Sequence, residues 1–456
     1  MAGTAMGGGQ AHPLRKAGRW PAEEETNNSV PHIVSRTLGD ICDEVQGTIR
    51  TGPFGSQLHE SDYCQEGHPV VMPKNILDGR VSTDEIAHIG DEDADRLNQH
   101  QLKKGDIVYG RRGDIGRRAL ITQREAGWHC GTGCLRISLG DSILDPQFLY
   151  YFLGQPNVTG WIYNQAVGAT MANLNTSIIR SVRVSYPPLP TQRKIAAILS
   201  AYDDLIENNT RRIKILEEMA QALYREWFVH FRFPGHERTR IAHGTPEGWK
   251  TLPLKALCVN GNGIQTGPFG SQLHQSDYTE EGVPVVMPQD LIGFRVRVDH
   301  IARIPEGVAE KLRRHRVRPG DILYGRRGDI GRRAYVLKRQ DGWLCGTGCL
   351  RIRPEPSIIQ PGYLFDALGR EETAATIAGR AKGATMPNLN TQIMTDIPIL
   401  TPPSAVQEQY VDYVEPTFEL VELLAEGNRK LKATRDLLLP KLISGEIDVS
   451  NLDTRT

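Results

Sequence analysis

The sequence lacks the motifs of several enzyme classes. It contains no Asp/Asn-Pro-Pro-Tyr/Phe motif of adenine methyltransferases, because its two Pro-Pro pairs read Tyr-Pro-Pro-Leu and Thr-Pro-Pro-Ser. Three further motifs are missing: Gly-x-Gly-x-x-Gly before a helix, Gly-x4-Gly-Lys-Ser/Thr and His-Glu-x-x-His. The absence of the first two argues against a Rossmann-type cofactor site and an NTPase motor. We therefore predict a chain that binds rather than catalyses, with no catalytic residue, cofactor or metal of its own.

Long apolar runs are absent too. No segment approaches the roughly 18–20 apolar residues that a membrane-spanning helix needs. The opening Met-Ala-Gly-Thr-Ala-Met-Gly-Gly-Gly-Gln has no apolar core of a signal peptide, so we expect a cytoplasmic protein with no membrane partner. The chain of 456 residues is 39% hydrophobic and 24% charged, which is ordinary for a soluble protein of roughly two to four domains.

What the sequence does contain is a long internal repeat. Thr51–His59 returns as Thr266–His274, which is 215 residues later (266 − 51 = 215). Three further blocks return with the same shift: Tyr109–Ala119 at Tyr324–Ala334, Cys130–Ile137 at Cys345–Ile352, and Gly168–Met171 at Gly383–Met386. A repeat of this length indicates a duplicated domain rather than a solenoid, and two similar domains suggest pseudo-twofold symmetry. Duplex DNA is the most common two-fold object that a protein reads.

The formal net charge is zero, which is unusual for a protein that binds nucleic acid, but the charge is unevenly distributed. Residues 103–118 contain six Lys or Arg against two Asp, and residues 311–333 contain nine against two. The basic segments therefore occupy the same place in both repeats.

The chain has seven cysteines, and an odd count without a secretion signal argues against a disulfide framework. Each repeat contains a Cys-x3-Cys pair, Cys130 with Cys134 and Cys345 with Cys349. Such a pair is typical either of a zinc site or of small buried residues on a strand beside a glycine turn. Because neither repeat offers further ligands at regular spacing, the second interpretation is favoured.

Changes in composition divide the chain into six segments. Its start is rich in Gly, Pro and Glu and has no periodicity, which predicts disorder. The predicted segments are a disordered tail (1–34), a first globular domain (36–190), a first long helix (191–232), a linker (233–250), a second globular domain (251–405) and a second long helix (406–448).

Each long helix follows a Pro-Pro break and carries a heptad pattern. We predict Thr191 as the N-cap of the first helix, which would be on the order of 55 Å long. The predicted seam of the first helix is Ile195, Ile198, Tyr202, Leu205, Asn209, Arg212, Leu216, Met219 and Leu223. That of the second is Val414, Phe418, Val421, Leu424, Asn428, Leu431, Leu438 and Leu442, with Gly427 as a weak point. Mutual pairing of the helices is favoured over two amphipathic helices that each lie on their own domain.

Two segments of each repeat are candidate DNA contacts. Glycine permits tight turns, arginine binds guanine edges or phosphates bidentately, and glutamine can read adenine. The predicted contacts are Gln57, His59, Arg111, Arg112, Arg117 and Arg118 in the first repeat, and Gln272, His274, Arg326, Arg327, Arg332 and Arg333 in the second.

Each segment also has a purely structural interpretation. The arginines could pair with acidic residues of their own hairpin, namely Asp106 and Asp114, or Asp321 and Asp329. The Gly-Pro-Phe-Gly turns could serve to pack Phe54 and Phe269 inward. The asparagines after Gly168 and Gly383 could bond either to phosphate or to their own backbone.

The repeated blocks resemble one known family. The order is Gly-Pro-Phe-Gly-Ser-Gln-Leu-His, Val-Pro-Val-Val-Met-Pro, Gly-Asp-Ile-Leu-Tyr-Gly-Arg-Arg-Gly-Asp-Ile-Gly-Arg, Cys-Gly-Thr-Gly-Cys-Leu-Arg and Gly-Ala-Thr-Met-Pro-Asn-Leu-Asn. It resembles a target-recognition domain in the specificity subunit of type I restriction–modification systems. The segments Leu189–Glu207 with Leu223–Phe228, and Gln407–Ile447, resemble the two conserved helices of that family, so that the resemblance covers about residues 36–448.

The resemblance implies a mixed α/β (α+β) fold: two similar globular target-recognition domains separated by two long antiparallel coiled-coil helices, with pseudo-twofold symmetry. It implies double-stranded DNA as a partner, together with two methyltransferase subunits that bind S-adenosylmethionine and methylate adenine. A restriction subunit can join them. It also implies two half-sites with an unread gap, and because the two domains are close copies here, we expect a nearly palindromic target. A protein-binding scaffold and a self-contained methyltransferase remain the alternative functions.

Overall fold

The computed structural model describes residues 33–452 apart from 56, 113–114, 141–142, 167–172, 262, 270–271, 328 and 382–387. Nearly all of the predicted disordered tail lies outside the described residues. Val34, at its end, already begins a strand. The chain divides into two compact units, the first comprising the residues up to Leu205 and from Leu431 onward, and the second Ile206–Lys430.

The first unit contains twelve strands within the described residues. They are β1 (Val34–Thr37), β2 (Thr48–Thr51), β3 (Tyr63–Cys64), β4 (His68–Val71), β5 (Ile76–Leu77), β6 (Arg80–Val81), β7 (Ala87–Ile89), β8 (Ile107–Gly110), β9 (Arg118–Leu120), β10 (His129–Cys130), β11 (Cys134–Ser138) and β12 (Arg183–Tyr186). Its helices are α1 (Leu38–Glu44), α2 (Asp91–Arg96), α3 (Pro146–Phe152), α4 (Pro156–Ala166), α5 (Thr176–Arg180) and the first part of α6 (Leu189–Phe228).

Two four-stranded sheets form the centre of the first unit, in the orders β2-β11-β8-β9 and β10-β4-β7-β3. The first sheet is antiparallel, and it pairs Leu135 with Tyr109 and Val108 with Ala119. The strands are short because glycine turns interrupt them, but β8 is buried along its whole length. Helix α3 packs on this sheet, where Phe148 joins the main core. The sheet therefore carries the segment after β8 at the edge of a well-packed core.

The second unit repeats these elements. Its strands are β13 (Ile241–Ala242), β14 (Thr245–Pro246), β15 (Lys250–Pro253), β16 (Ile264–Thr266), β17 (Val283–Val286), β18 (Leu291–Ile292), β19 (Arg295–Val296), β20 (Ala302–Ile304), β21 (Ile322–Gly325), β22 (Arg333–Tyr335), β23 (Leu344–Cys345), β24 (Cys349–Ile352) and β25 (Pro398–Thr401). Its helices are the remainder of α6, α7 (Glu306–Lys311), α8 (Pro361–Gly369), α9 (Glu371–Arg380), α10 (Thr391–Thr395) and most of α11 (Ser404–Ser444). The order β16-β24-β21-β22 matches that of the first unit's antiparallel sheet.

A buried glutamine attaches the start of each long helix to its domain. In the first unit, Gln192 Oε1 accepts a 2.8 Å hydrogen bond from the backbone N–H of Asp145, and Gln192 Nε2 donates to the carbonyl of Pro187 at 2.8 Å. In the second, Gln407 makes the same two bonds to Gln360 and Pro402. The prediction of Thr191 as N-cap is wrong, because α6 begins at Leu189 and Gln192 instead bonds the residues at its start.

Helices α6 and α11 contact each other within both units. Arg435 of α11 pairs with Asp203 of α6 in the first unit, and Asn428 bonds Asn209 in the second. In each unit, residues later in α6 meet residues earlier in α11, so the contact is antiparallel. The predicted coiled-coil helices are thus present.

The predicted seam of α6 is partly wrong. Leu205 and Met219 are exposed, whereas Leu199, Ala220 and Tyr224 are buried. The stripe of α6 that contacts α11 includes Asp203, which is one position after the predicted Tyr202 and pairs with Arg435. Asn209 was predicted in the seam and does bond α11, through Asn428. Apolar periodicity did not indicate Asp203, because that residue is charged. In α11, by contrast, Val414, Phe418, Val421, Asn428 and Leu442 are all buried, in agreement with its predicted seam.

The segment predicted as a linker, residues 233–250, is folded. It contains the hairpin β13–β14. Trp249 packs against Phe228, Phe231 and Phe233, with ring centroids between 5.2 and 5.9 Å apart. This aromatic cluster joins the segment to the core of the second unit.

No helix among the described residues combines the length and apolarity required to cross a membrane. The paired cysteines Cys130 with Cys134 and Cys345 with Cys349 are buried thiols in β10, β11, β23 and β24. Burial raises the pKa of Cys130 and of Cys345 to about 12, which keeps both protonated. In the described part of the chain, no group of three or more His, Cys, Asp or Glu side chains is arranged to hold a metal ion.

Candidate nucleic-acid interface

The predicted arginines fall into inward-facing and outward-facing pairs. Arg118 lies in β9, where its Nε donates to the carbonyl of Tyr150 at 3.0 Å and its guanidinium lies 4.9 Å from the Tyr150 ring centroid. Arg333 makes the same contacts with Phe365, at 3.0 and 4.8 Å. Both arginines therefore attach a helix to the antiparallel sheet, and a DNA contact by either of them stays a prediction.

Glycines make room for these inward-facing arginines. A Cβ at Gly154 would lie 1.7 Å from Arg118 Nη2, and a Cβ at Gly369 would lie 1.7 Å from Arg333 Nη2. Burial lowers the pKa of Arg333, as desolvation of a cation must. The repeated arginine thus has a structural role that the Gly-Arg pattern did not reveal.

Arg111 and Arg326 hold the segment that follows the fourth repeated block. Arg111 Nε donates to the carbonyl of Leu174 at 3.1 Å, and its Nη2 donates to Asn173 Oδ1 at 3.3 Å. Arg326 Nε donates to the carbonyl of Leu389 at 3.0 Å and is almost fully buried. Burial lowers the pKa of both arginines. Their main contribution is to position the neighbouring backbone.

Arg112, Arg117, Arg327 and Arg332 have exposed side chains. Arg112 and Arg327 directly follow the anchoring arginines, and their backbones bridge to Asn173 and Asn388. Each is therefore held at a defined place while its guanidinium faces solvent. Arg332 pairs with Asp329 at 2.7 Å, so the structural interpretation of the hairpin holds for that residue.

The other proposed acidic partners are engaged elsewhere. Asp106 is buried and lies 3.8 Å from Arg136, and Asp321 is buried and pairs with Arg353 at 2.6 Å. Burial raises the pKa of Asp106. Neither carboxylate neutralises the exposed arginines after β8 and β21. Asp114 lies outside the described residues.

The turn Thr51–His59 uses its glutamine internally. Gln57 Oε1 accepts a 3.1 Å hydrogen bond from the backbone N–H of Phe54. In the second unit, Gln272 Oε1 accepts from Phe269 N–H at 3.4 Å and also from Arg314 Nη2 at 3.2 Å. The amide oxygen of Gln57 has one of its two lone pairs engaged, and that of Gln272 has both, which weakens the predicted bidentate reading of adenine, above all for Gln272.

His59 and His274 lie at the exposed ends of these turns. Their backbone N–H groups donate to Asp62 and Asp277 at 2.8 and 2.7 Å, which orders the next 3-10 turn and leaves the imidazoles at the surface. The histidines thus remain accessible to a ligand.

The interpretation that Phe54 and Phe269 pack inward is wrong, because each is 55% exposed. These aromatics, together with Arg314, were not among the predicted site residues. The identical repeat of Phe within Gly-Pro-Phe-Gly was the sequence signal that could have revealed them.

Asn175 and Asn390, which follow the fourth block, bond to their own backbone, in agreement with the structural interpretation. Asn175 Oδ1 accepts from the backbone N–H of Ile178 at 2.9 Å, and Asn390 Oδ1 accepts from that of Ile393 at 2.8 Å. Both cap short helices. The preceding residues Gly168–Met171 and Gly383–Met386 lie outside the described residues.

Each domain thus exposes an arginine, Arg112 or Arg327, and a turn, Thr51–His59 or Thr266–His274. The equivalent residues are 215 positions apart. A family model, the type I restriction modification DNA specificity domain, matches residues 33–218 and again 246–433. The chain belongs to this family. Both the resemblance of the repeated blocks and the predicted mixed α/β fold with two similar domains are confirmed.

Named specificity subunits align with most of this chain. The type I restriction enzyme MjaIX specificity subunit of Methanocaldococcus jannaschii is 25% identical over 353 residues, which are 76% of this chain and 79% of the relative. The HindI specificity subunit of Haemophilus influenzae is 22% identical over 429 residues, covering 82% and 93%. The crystal structure of the S subunit from M. genitalium shares the fold, with a TM-score of 0.58 at 17% identity over 92% of this chain and 98% of that one.

Proposed function

We propose that this chain is the non-catalytic DNA-recognition subunit of a type I restriction–modification complex. It binds double-stranded DNA at two half-sites separated by an unread gap, one half-site for each domain. Because the domains are close copies, the half-sites are nearly inverted repeats. Family membership supports the DNA-recognition role.

The repeated surface is the observation that carries this proposal. Arg112 and Arg327 are exposed cations that follow a buried strand, and a buried or half-buried arginine anchors the backbone on one side of each. A guanidinium presented in this way can bind phosphate or a guanine edge without prior rearrangement. Phosphate contacts set the register of a protein on DNA, and base contacts set its specificity.

The proposed protein partners are two methyltransferase subunits that bind S-adenosylmethionine, and restriction subunits that join the complex for cleavage. The names of the relatives support this proposal, because they are specificity subunits of type I restriction enzymes. In this arrangement the chain itself contributes no reacting group.

The test is a methyl-transfer assay followed by sequencing of the methylated DNA. The purified chain alone should transfer no methyl group, whereas the chain with its cognate methyltransferase should methylate adenine in one gapped motif. Transfer by the chain alone, with contaminating enzyme excluded, would contradict the non-catalytic role. Absence of DNA binding even with the methyltransferase present would favour a protein-binding scaffold instead.

A further inference from the structure

Phe54 and Phe269 are large apolar side chains displayed at the two repeated turns. Each is 55% exposed. A single exposed apolar residue is common on protein surfaces and needs no explanation by itself. Here the same residue, in the same turn, is equally exposed in both domains.

The backbone beneath each ring is held tightly. The N–H of Phe54 donates to Gln57 Oε1, and its carbonyl accepts from the N–H of Gln57 at 2.7 Å. Leu58 buries its side chain next to this turn. In the second unit, the carbonyl of Phe269 accepts from the N–H of Gln272 at 2.8 Å in the same way.

Glycine packing fixes the base of each turn. A Cβ at Gly52 would lie 2.0 Å from the carbonyl oxygen of Gly131, and a Cβ at Gly267 would lie 2.0 Å from that of Gly346. Only glycine permits so close an approach of the two backbones. The turn therefore rests directly on the Cys-Gly-Thr-Gly-Cys segment, and the ring projects from a rigid support.

One cation lies beside the ring in the first unit. The guanidinium carbon of Arg111 lies 5.9 Å from the Phe54 ring centroid, and the exposed Arg112 follows it in the chain. Among the described residues between Val34 and Leu77, Phe54 is the only large apolar side chain that is exposed. No second exposed apolar side chain thus adjoins Phe54 in this part of the sequence, whereas a contiguous exposed apolar patch would have indicated a protein-binding surface. An aromatic ring beside one arginine, with an exposed arginine next in the chain, matches the flat base faces and phosphates of DNA.

We propose that Phe54 and Phe269 each insert at, or stack against, one base step of the DNA half-site bound by their own domain. The inference rests on the proposed function and assigns the point of contact within it. Proteins that place apolar side chains between base steps unstack the bases and gain contacts from the distorted duplex. Two fixed rings on one chain would thus distort both half-sites.

The experiment uses the full chain in complex with its methyltransferase and duplexes carrying 2-aminopurine at successive positions of the methylated motif. Binding should raise the fluorescence at one position in each half-site, because unstacked 2-aminopurine is brighter. Phe54→Ala should abolish the rise in one half-site only, and Phe269→Ala in the other. Each should weaken binding by roughly 5- to 140-fold, the range of one lost aromatic–base stack.

Tyr163→Ala is the matched control, since Tyr163 is an exposed aromatic (52%) in α4, outside the turn. It should change neither fluorescence nor affinity, and all three variants should keep the wild-type melting temperature. Unchanged fluorescence and affinity in Phe54→Ala and Phe269→Ala would overturn the inference. Loss of methyltransferase co-purification would overturn it too, by placing the rings on the protein partner. Failure of the wild-type complex to bind DNA would instead refute the proposed function.

Discussion

Asn209 Nδ2 donates a 2.9 Å hydrogen bond to Asn428 Oδ1, in the contact between α6 and α11 within the second unit. Asn428 Nδ2 in turn donates to the carbonyl of Ile206 and to Thr210 Oγ1, at 3.2 and 3.1 Å. A buried amide at a helix–helix seam favours the one register in which it finds its partners. The asparagine pair therefore selects the alignment of the two long helices.

Replacing Asn428 by Ala should lower the free energy of unfolding by about 1–3 kcal/mol, because buried partners lose their hydrogen bonds. Urea unfolding of Asn428→Ala, Asn209→Ala and the double variant measures the coupling between the two residues. The double variant should cost less than the sum of the single ones. Strict additivity would show that the two amides act independently.

Stability should depend on pH through Asp366. This carboxyl is fully buried in α8 and accepts a 2.7 Å hydrogen bond from the hydroxyl of Tyr410, and burial raises its pKa to about 7. A raised acid pKa means that the folded state binds a proton more readily than the unfolded state. The resulting stabilisation is complete below about pH 4 and is lost as pH rises towards 7.

Asp366→Asn should therefore flatten the pH dependence of unfolding. Relative to the wild type, the variant should gain on the order of 2–4 kcal/mol between pH 4 and pH 8. Thermal or urea unfolding of both proteins across this range measures the difference. If the free energies of unfolding of the two proteins changed in parallel with pH, burial would not raise the pKa of Asp366.

The glutamines at the helix starts should be unequal in their effect on stability. Gln192 makes three hydrogen bonds, the third being from Nε2 to the carbonyl of Ile143 at 3.0 Å, whereas two are found for Gln407. Gln192→Ala should cost on the order of 2–4 kcal/mol, and Gln407→Ala about 1 kcal/mol less. Chemical denaturation of the two variants checks the order. An equal loss in both would mean that the third bond contributes nothing.

The exposed arginines should control the salt dependence of DNA binding. Arg112→Ala and Arg327→Ala should each weaken binding to all sequences and reduce the salt slope by about one if they bind phosphate. A base-reading arginine should instead cost about 1–3 kcal/mol at one position of the motif. Titrations at several salt concentrations separate these cases. Arg118→Ala is the control variant. It should lower the free energy of unfolding, whereas DNA binding by the folded protein should keep the salt dependence of the wild type.

Arg314 distinguishes the second turn from the first. It donates to Gln272 Oε1 and also, through Nε, to His315 Nε2 at 3.0 Å. Burial lowers the pKa of His315 to about 4, so its ring is neutral and can accept this bond. The corresponding residue of the first repeat, 215 positions earlier (314 − 215 = 99), is Gln99.

Arg314→Gln should therefore change the half-site read by the second domain and bring it nearer to an inverted copy of the other half-site. Sequencing of DNA methylated by the variant complex reports both half-sites at once. Gln99→Arg is the reciprocal variant and should change only the first half-site. A motif unaltered in both variants would show that base reading lies elsewhere in the domains.

The sequence by itself determined the duplication, the two domains, the long helices and the family. These follow from local patterns: a constant shift between matching blocks, apolar spacing in the helices, and Pro-Pro pairs that precede each helix. The seam of α11 could be predicted because large apolar residues such as Phe418 and Val421 occupy it.

Only the tertiary structure decided which side chains face solvent. Arg112 and Arg118 lie in the same Gly-Arg segment, but Arg118 stacks on Tyr150 from a distant helix, while Arg112 is exposed. Phe54 could have been a core residue but is displayed outward, from a turn whose Gly52 packs directly on the backbone of Gly131. Orientation depends on partners that are distant in sequence, and a local pattern carries no information about them.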